Sequence, residues 1–175
     1  MEDTERRVEV LRMGHRPKRD ERMTSHVGLT SRALGADRIH IATSSEKPRE
    51  TIESVTERFG GDFEVELTEE PKSIIRGWEG DVVHLTMYGL PIQDVIDEVR
   101  QEDVLVVVGS QKVPGYVYGL SDYNVGVTNQ PHSEVAGLSV FLHEYFEGAE
   151  LENEFEGGEI EVVPSNGSKK TVEKE

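Results

Sequence analysis

The sequence predicts an α/β fold: a mostly parallel sheet with helices on both faces. Three observations carry that expectation. Strand-like and helix-like stretches alternate along the chain, the signature of a layered α/β domain. Two short apolar runs, "DVVHLTMYG" (residues 81–89) and "DVLVVVG" (103–109), end in glycine. Continuous apolar runs of this length mark strands covered on both faces, as in a parallel sheet. The 175 residues suffice for one buried core.

Taken in order, "RRVEVLR" (6–12) alternates apolar and polar and breaks at Gly14 and Pro17, so it reads as a strand. "SHVGLTSRALGA" (25–36) reads as a helix closed by Gly35, and "RIHIAT" (38–43) as a short strand. "PRETIESVTERFGG" (48–61) is an amphipathic helix. Ile52, Val55 and Phe59 share one face, Pro48 stands near its start and two glycines end it. "FEVELT" (63–68) alternates like a half-exposed strand. Between the two apolar runs, "PIQDVIDEVR" (91–100) is a helix with Ile92, Val95, Ile96 and Val99 inward. "YNVGV" (123–127) is a strand, and "SEVAGLSVFLHEYF" (133–146) a helix with Val135, Leu138, Leu142 and Tyr145 on one stripe. Residues 1–150 read as the main domain. Residues 151–175 read as a C-terminal β-hairpin, signalled by Asn166-Gly167, with a frayed end.

Composition bounds the function. There are no cysteines, which excludes disulfides, thiolate zinc sites and cysteine nucleophiles and fits a cytoplasmic protein. No stretch is long and apolar enough to span a membrane. Asp and Glu outnumber Lys and Arg 35 to 19, for a net charge of −16. Two readings stand: a solvated acidic surface, or adaptation to a salty cytoplasm where salt screens the repulsion. The charge is unevenly spread. "RMGHRPKRDER" (12–22) carries five cations against two anions, whereas 135–167 holds no Lys or Arg. A cationic island on an acidic protein is a candidate phosphate contact; a solvated loop with local ion pairs is the alternative.

In open parallel sheets, ligands bind beyond the carboxyl ends of the strands. Three strand ends carry unusual residues: "HLTMYG", "VVGSQKVPG" and "VTNQPHSE". Gly89 and Gly109 admit close approach of backbone to a ligand, and Pro114 and Pro131 stiffen the backbone after them. Together the three turns form a candidate cofactor pocket. No G-x-G-x-x-G follows a strand and no phosphate-binding P-loop is present. The six histidines form no H-x-x-x-H pair. His132 and Glu134, two apart at a helix start, point in different directions, so metal is not expected there. Ser133 lacks a nucleophile elbow and reads as a helix cap. Exposed N–H groups of the same turn remain free to meet a ligand.

The segments "GHRPKRDERMTSHVGLTSRALGADRI", "VVHLTMYG", "LVVVGSQKVPGYVY" and "DYNVGVTNQPHSEVAGL", with the C-terminal hairpin segment, resemble the archaeal tRNA cytidine-56 2′-O-methyltransferase family. That family belongs to the SPOUT methyltransferases, RNA enzymes with a C-terminal trefoil knot. The resemblance runs from about Val8 to about Lys170. It implies a knotted α/β domain, S-adenosylmethionine as cofactor, tRNA as substrate and a homodimer. It implies a pocket from Leu85, from Gly109, Ser110, Gln111, Lys112 and Val113, and from Val127, Thr128, Asn129, Gln130, Pro131, His132, Ser133 and Glu134. "HVGLTSR" matches the spacing of an Asn-x-Gly-x-x-x-Arg motif of related enzymes, with His26 replacing Asn, and so points to Arg32 as the catalytic arginine. Arg22 is its rival. Ser133-Glu134-Val135 replaces the Ser-Leu-Asn of related enzymes. Arg16, Lys18 and Arg19 are the expected RNA contacts. A non-catalytic tRNA-binding module on the same scaffold is the alternative. A nucleotide-dependent enzyme of another type is disfavoured by the missing phosphate motifs.

Overall fold

The computed structural model describes residues 6–110 and 112–174. Six parallel strands form one sheet in the order β3-β2-β1-β5-β4-β6. They are β1 (Val8–Arg12), β2 (Arg38–Ile41), β3 (Glu64–Leu67), β4 (Asp81–Pro91), β5 (Val104–Val108) and β6 (Tyr123–Gly126). The helices between them are α1 (Glu21–Ala33), α2 (Lys47–Phe59), α3 (Pro71–Gly77), α4 (Ile92–Val99), α5 (Tyr116–Leu120) and α6 (Glu134–Phe146).

The pleat decides which side chain meets which layer, because successive residues point to opposite faces. On β5, Val104, Val106 and Val108 meet one core, with Val27 of α1, Ile52 of α2, Val95 of α4 and Leu138 of α6. Leu105 and Val107 meet the other, with Ile75 of α3 and Val117 of α5. Helices therefore cover both faces, and β5 is buried throughout.

Several elements depart from the sequence reading. β1 is buried at every residue although it alternates polar and apolar. It is an interior strand, and its one acidic residue, Glu9, is satisfied by His40 and Arg7. α1 begins at Glu21, four residues before the expected start at Ser25. The short helices α3 and α5 were not foreseen, because seven and five residues carry too little periodicity to read. β4 does not stop at Gly89. It runs to Pro91 with a break in register, so that Leu85 and Leu90 both pair with Val125 of β6. Gly89 is required there by the chain itself, since a Cβ would lie 2.4 Å from the Asn124 backbone. Its expected role towards a ligand is corrected to one of packing.

The C-terminal hairpin forms from β7 (Ile160–Val162) and β8 (Thr171–Glu173). Strand pairing reaches Glu173, the Lys174 amide donates to the Glu159 carbonyl at 2.7 Å, and the last residue of the expected frayed end, Glu175, lies outside the described residues. Asn166-Gly167 lies inside a longer connection, whose turn is held by Ser165 Oγ accepting from the Gly167 and Ser168 amides. Backbone bonds from Glu159 to Arg58 and from Gly61 to Glu156 dock this segment on the end of α2.

Candidate functional site

Parallel order places the carboxyl ends of β4, β5 and β6 side by side: Leu85 is in register with Val108 and with Val125. The three turns beyond these ends enclose a cavity of about 590 Å³. Of the residues expected there, Leu85, Gly109, Ser110, Val113, Val127, Pro131, His132 and Glu134 line it. Lys112, Thr128, Asn129, Gln130 and Ser133 belong to the same turns but do not line it. Gln111 lies outside the described residues.

The residues off the wall shape it. Asn129 Nδ2 donates to the carbonyls of Met87 (2.6 Å) and Gly89 (2.9 Å), tying the third turn to the first. Thr128 takes a left-handed φ of 56° to make that reach. Ser133 caps α6, its Oγ accepting from the Ala136 amide at 3.1 Å. Gly137 leaves room for the His132 ring, which a Cβ would meet at 2.9 Å. Gly14, with φ 76°, accommodates the Ser110 hydroxyl and accompanies the Ser110 amide's bond to the Met13 carbonyl.

Some residues on or behind the wall were read from the sequence only as members of "HLTMYG" and of the cationic island, with no role of their own. His84 is 2% exposed. Its Nδ1 lies 2.9 Å from Asn124 Oδ1, and its ring meets Tyr118 edge-on at 4.8 Å. Burial lowers its pKa, outweighing the opposing Asn124 hydrogen bond, so the ring is neutral at pH 7. Tyr88, which also lines the cavity, is exposed. Arg12 stands behind the wall. It is wholly buried at the end of β1 and pairs through Nη1 with Glu134 on the cavity wall. The sequence reading counted it in the cationic island as a candidate phosphate contact; the structure instead buries it and pairs it with Glu134.

The cationic island lies at this same end of the sheet, between β1 and α1. Arg16 donates to Asp20 through its side chain and its amide. Those bonds hold the Asp20 carboxyl down at about 2. The same side-chain bond raises the Arg16 pKa, and Glu134 adds in the same direction. Lys18, at a left-handed φ of 70°, and Arg19 are exposed. Arg22 is exposed in the first turn of α1.

Arg32 is elsewhere. It stands in the last turn of α1, 9% exposed. Its Nη2 donates to the Gly60 carbonyl at 2.6 Å, and its guanidinium lies 4.7 Å from the Phe155 ring centroid. Within one chain the structure does not bring Arg32 to the cavity. It anchors the C-terminal segment instead. The reason is directional: a helix that comes after a parallel strand starts at the strand's carboxyl edge and ends at the opposite one. Among the described residues no group of three or more His, Asp or Glu is placed to hold a metal ion, and no helix is long and apolar enough to cross a membrane.

Residues 59–172 match the family model described as "tRNA ribose 2'-O-methyltransferase, aTrm56". A tRNA (cytidine(56)-2'-O)-methyltransferase of Natronomonas pharaonis is 59% identical over 170 residues, covering 95% of this chain and 94% of that protein. The enzyme of the same name from Haloarcula marismortui is 57% identical over 170 residues, with coverage of 95% and 94%. Among solved structures, the SpoU methyltransferase AviRb from Streptomyces viridochromogenes, in complex with AdoMet, superposes with a TM-score of 0.60 at 16% identity. The match covers 82% of this chain and 58% of that one, so this chain spans less than two thirds of that structure's length. At that identity the likeness concerns the fold.

Proposed function

The chain belongs to the tRNA ribose 2′-O-methyltransferase family, and we propose from that premise that the cavity beyond β4, β5 and β6 binds S-adenosylmethionine for methylation of the cytidine-56 ribose of tRNA. The observation that carries the site assignment is convergence: three turns distant in sequence close one cavity at the carboxyl edge of the sheet. Its volume lies in the range of small-molecule sites. Its donor set fits the cofactor: Leu85, Val113 and Val127 offer apolar walls to a base, and the Glu134 carboxylate offers a counter-charge to a cation. The comparisons favour an enzyme over a non-catalytic tRNA-binding module.

When bound, the cofactor supplies a methyl group activated by a positive sulfur. The protein's work is to align the ribose 2′-oxygen with that methyl and to assist loss of its proton. We assign that assistance to Arg22 rather than Arg32, because Arg22 is exposed at the end of α1 nearest the cationic island. Arg32 is committed to Gly60 and Phe155. Lys18 and Arg19, exposed in the same loop, hold RNA phosphate, with Arg16 fixed beside them by Asp20. The knot is carried by the resemblance alone. A homodimer in the cytoplasm completes the reading. An exposed apolar groove formed by Leu34, Val140 and Leu151 beside α6 suits a second copy, and a monomeric mass by light scattering would contradict it.

Two measurements test the assignment. S-adenosylmethionine should raise the unfolding temperature of the parent but not of Gly109→Trp: at this cavity-lining position even a Cβ would lie 2.0 Å from Val113 Cγ1, so the ring must displace Val113 or fill the cavity. Methyl label transferred from the cofactor to an unmodified tRNA transcript should appear on a ribose of the T loop. Label on a base would exclude the proposed chemistry.

A further inference from the structure

Arg12 ends β1 with its side chain completely buried. Its Nη1 pairs with Glu134, the first residue of α6. Its Nε donates to Thr24 Oγ1 of α1 at 3.2 Å, and that hydroxyl lies 2.6 Å from His15 Nδ1. One guanidinium therefore joins the sheet edge, α1 and the start of α6. Its Nη2 is buried without a partner, as is His15 Nε2.

Such an arrangement is a poor device for stability. A buried ion pair commonly contributes no more than an apolar pair of the same volume, and an unpartnered buried donor costs further free energy. What the arrangement does is local. Glu134 lines the cavity and Arg12 does not, so any effect of Arg12 on a bound ligand passes through Glu134. We propose that Arg12 is a positioning residue for the reaction: it fixes the Glu134 carboxylate, and with it the first turn of α6, as the third wall of the cofactor cavity. The side chain that does this comes from β1, outside the three turns that form the cavity.

The inference rests on the cavity being the cofactor site, and the two can fail separately. The probe is S-adenosylhomocysteine, the unreactive product, titrated calorimetrically. If the parent protein does not bind it, the reading of the cavity fails. With the parent binding, Arg12→Met and Glu134→Gln should each weaken affinity about tenfold or more, and the double variant should be no weaker than Glu134→Gln alone. The pair Arg12→Met/Glu134→Leu removes both charges together. It should unfold at a denaturant concentration close to the parent's yet bind the probe at least as weakly as either single variant. This pair keeps the test decisive if Arg12→Met alone does not fold. In steady state, KM for the cofactor should rise while KM for tRNA stays constant, a split that a general loss of packing would not produce. Probe affinity within about twofold of the parent in a folded Arg12 variant would overturn the proposal, as would losses that simply add.

Discussion

Arg22 and Arg32 occupy opposite ends of one helix, and their surroundings assign them different work. Arg32 is buried against Gly60 and Phe155, and burial lowers its pKa. Arg32→Ala should therefore destabilise the fold by about 1–3 kcal/mol, from the lost charged hydrogen bond and the lost ring contact. Affinity for S-adenosylhomocysteine should be unchanged. Denaturant unfolding paired with titration measures both, and lost probe affinity in a folded variant would return Arg32 to the site. The motif spacing that pointed to Arg32 records which face of a helix a residue shares, not which end of the sheet it reaches, so it could not show that Arg32 lies away from this chain's own cavity. The strand-before-helix order held that missing information. Gly89 shows a related limit. A glycine at a strand end suggests either ligand approach or close packing, and only the Asn124 backbone beside it decides for packing.

At the scale of elements, the long periodic stretches were legible. The helices at 47–59, 92–99 and 134–146 and all six sheet strands lie within a few residues of their expected positions. Period and apolar content determine these locally. The short helices α3 and α5 were not legible, and neither was the passage of β4 through Gly89, because its pairing with β6 depends on a partner some forty residues away. The loop between β1 and α1 has its own prediction. Lys18 and Arg19 are exposed and near the candidate site, whereas Arg16 is already paired with Asp20. Replacing Lys18 and Arg19 together by Ala should weaken tRNA binding and reduce the slope of log affinity against log salt by about 1–2. Filter binding across a salt series reads that slope; an unchanged slope would remove this loop from the RNA interface.

For the whole molecule, two depressed carboxyls and two depressed imidazoles act on stability in the same sense. The Asp20 carboxyl is held at about 2, mainly by its side-chain bond with Arg16, against an ordinary 3.8. Burial would raise Glu9, but bonds from His40 and Arg7 outweigh it and lower its pKa. A depressed carboxyl contributes stability that is complete above its ordinary pKa and is lost as pH falls through the folded value. Burial lowers His84 and His15, and Arg12 lowers His15 further. A depressed imidazole contributes stability above its ordinary 6.5 that is lost below it. Stability should therefore decline as pH drops below about 6.5 and again below about 4. In Asp20→Asn, the second decline should be shallower. Denaturant midpoints across pH measure this, and an identical decline in the variant would remove Asp20 from the acid response. By itself the sequence determined the layered parallel sheet, the three unusual strand ends and the cationic island, because each is written in local period, composition or charge. The tertiary structure decided that those ends close one cavity, that Arg32 faces away from it and that Arg12 stands behind Glu134. Those relations depend on strand order and helix direction, which bring together residues that no local pattern connects.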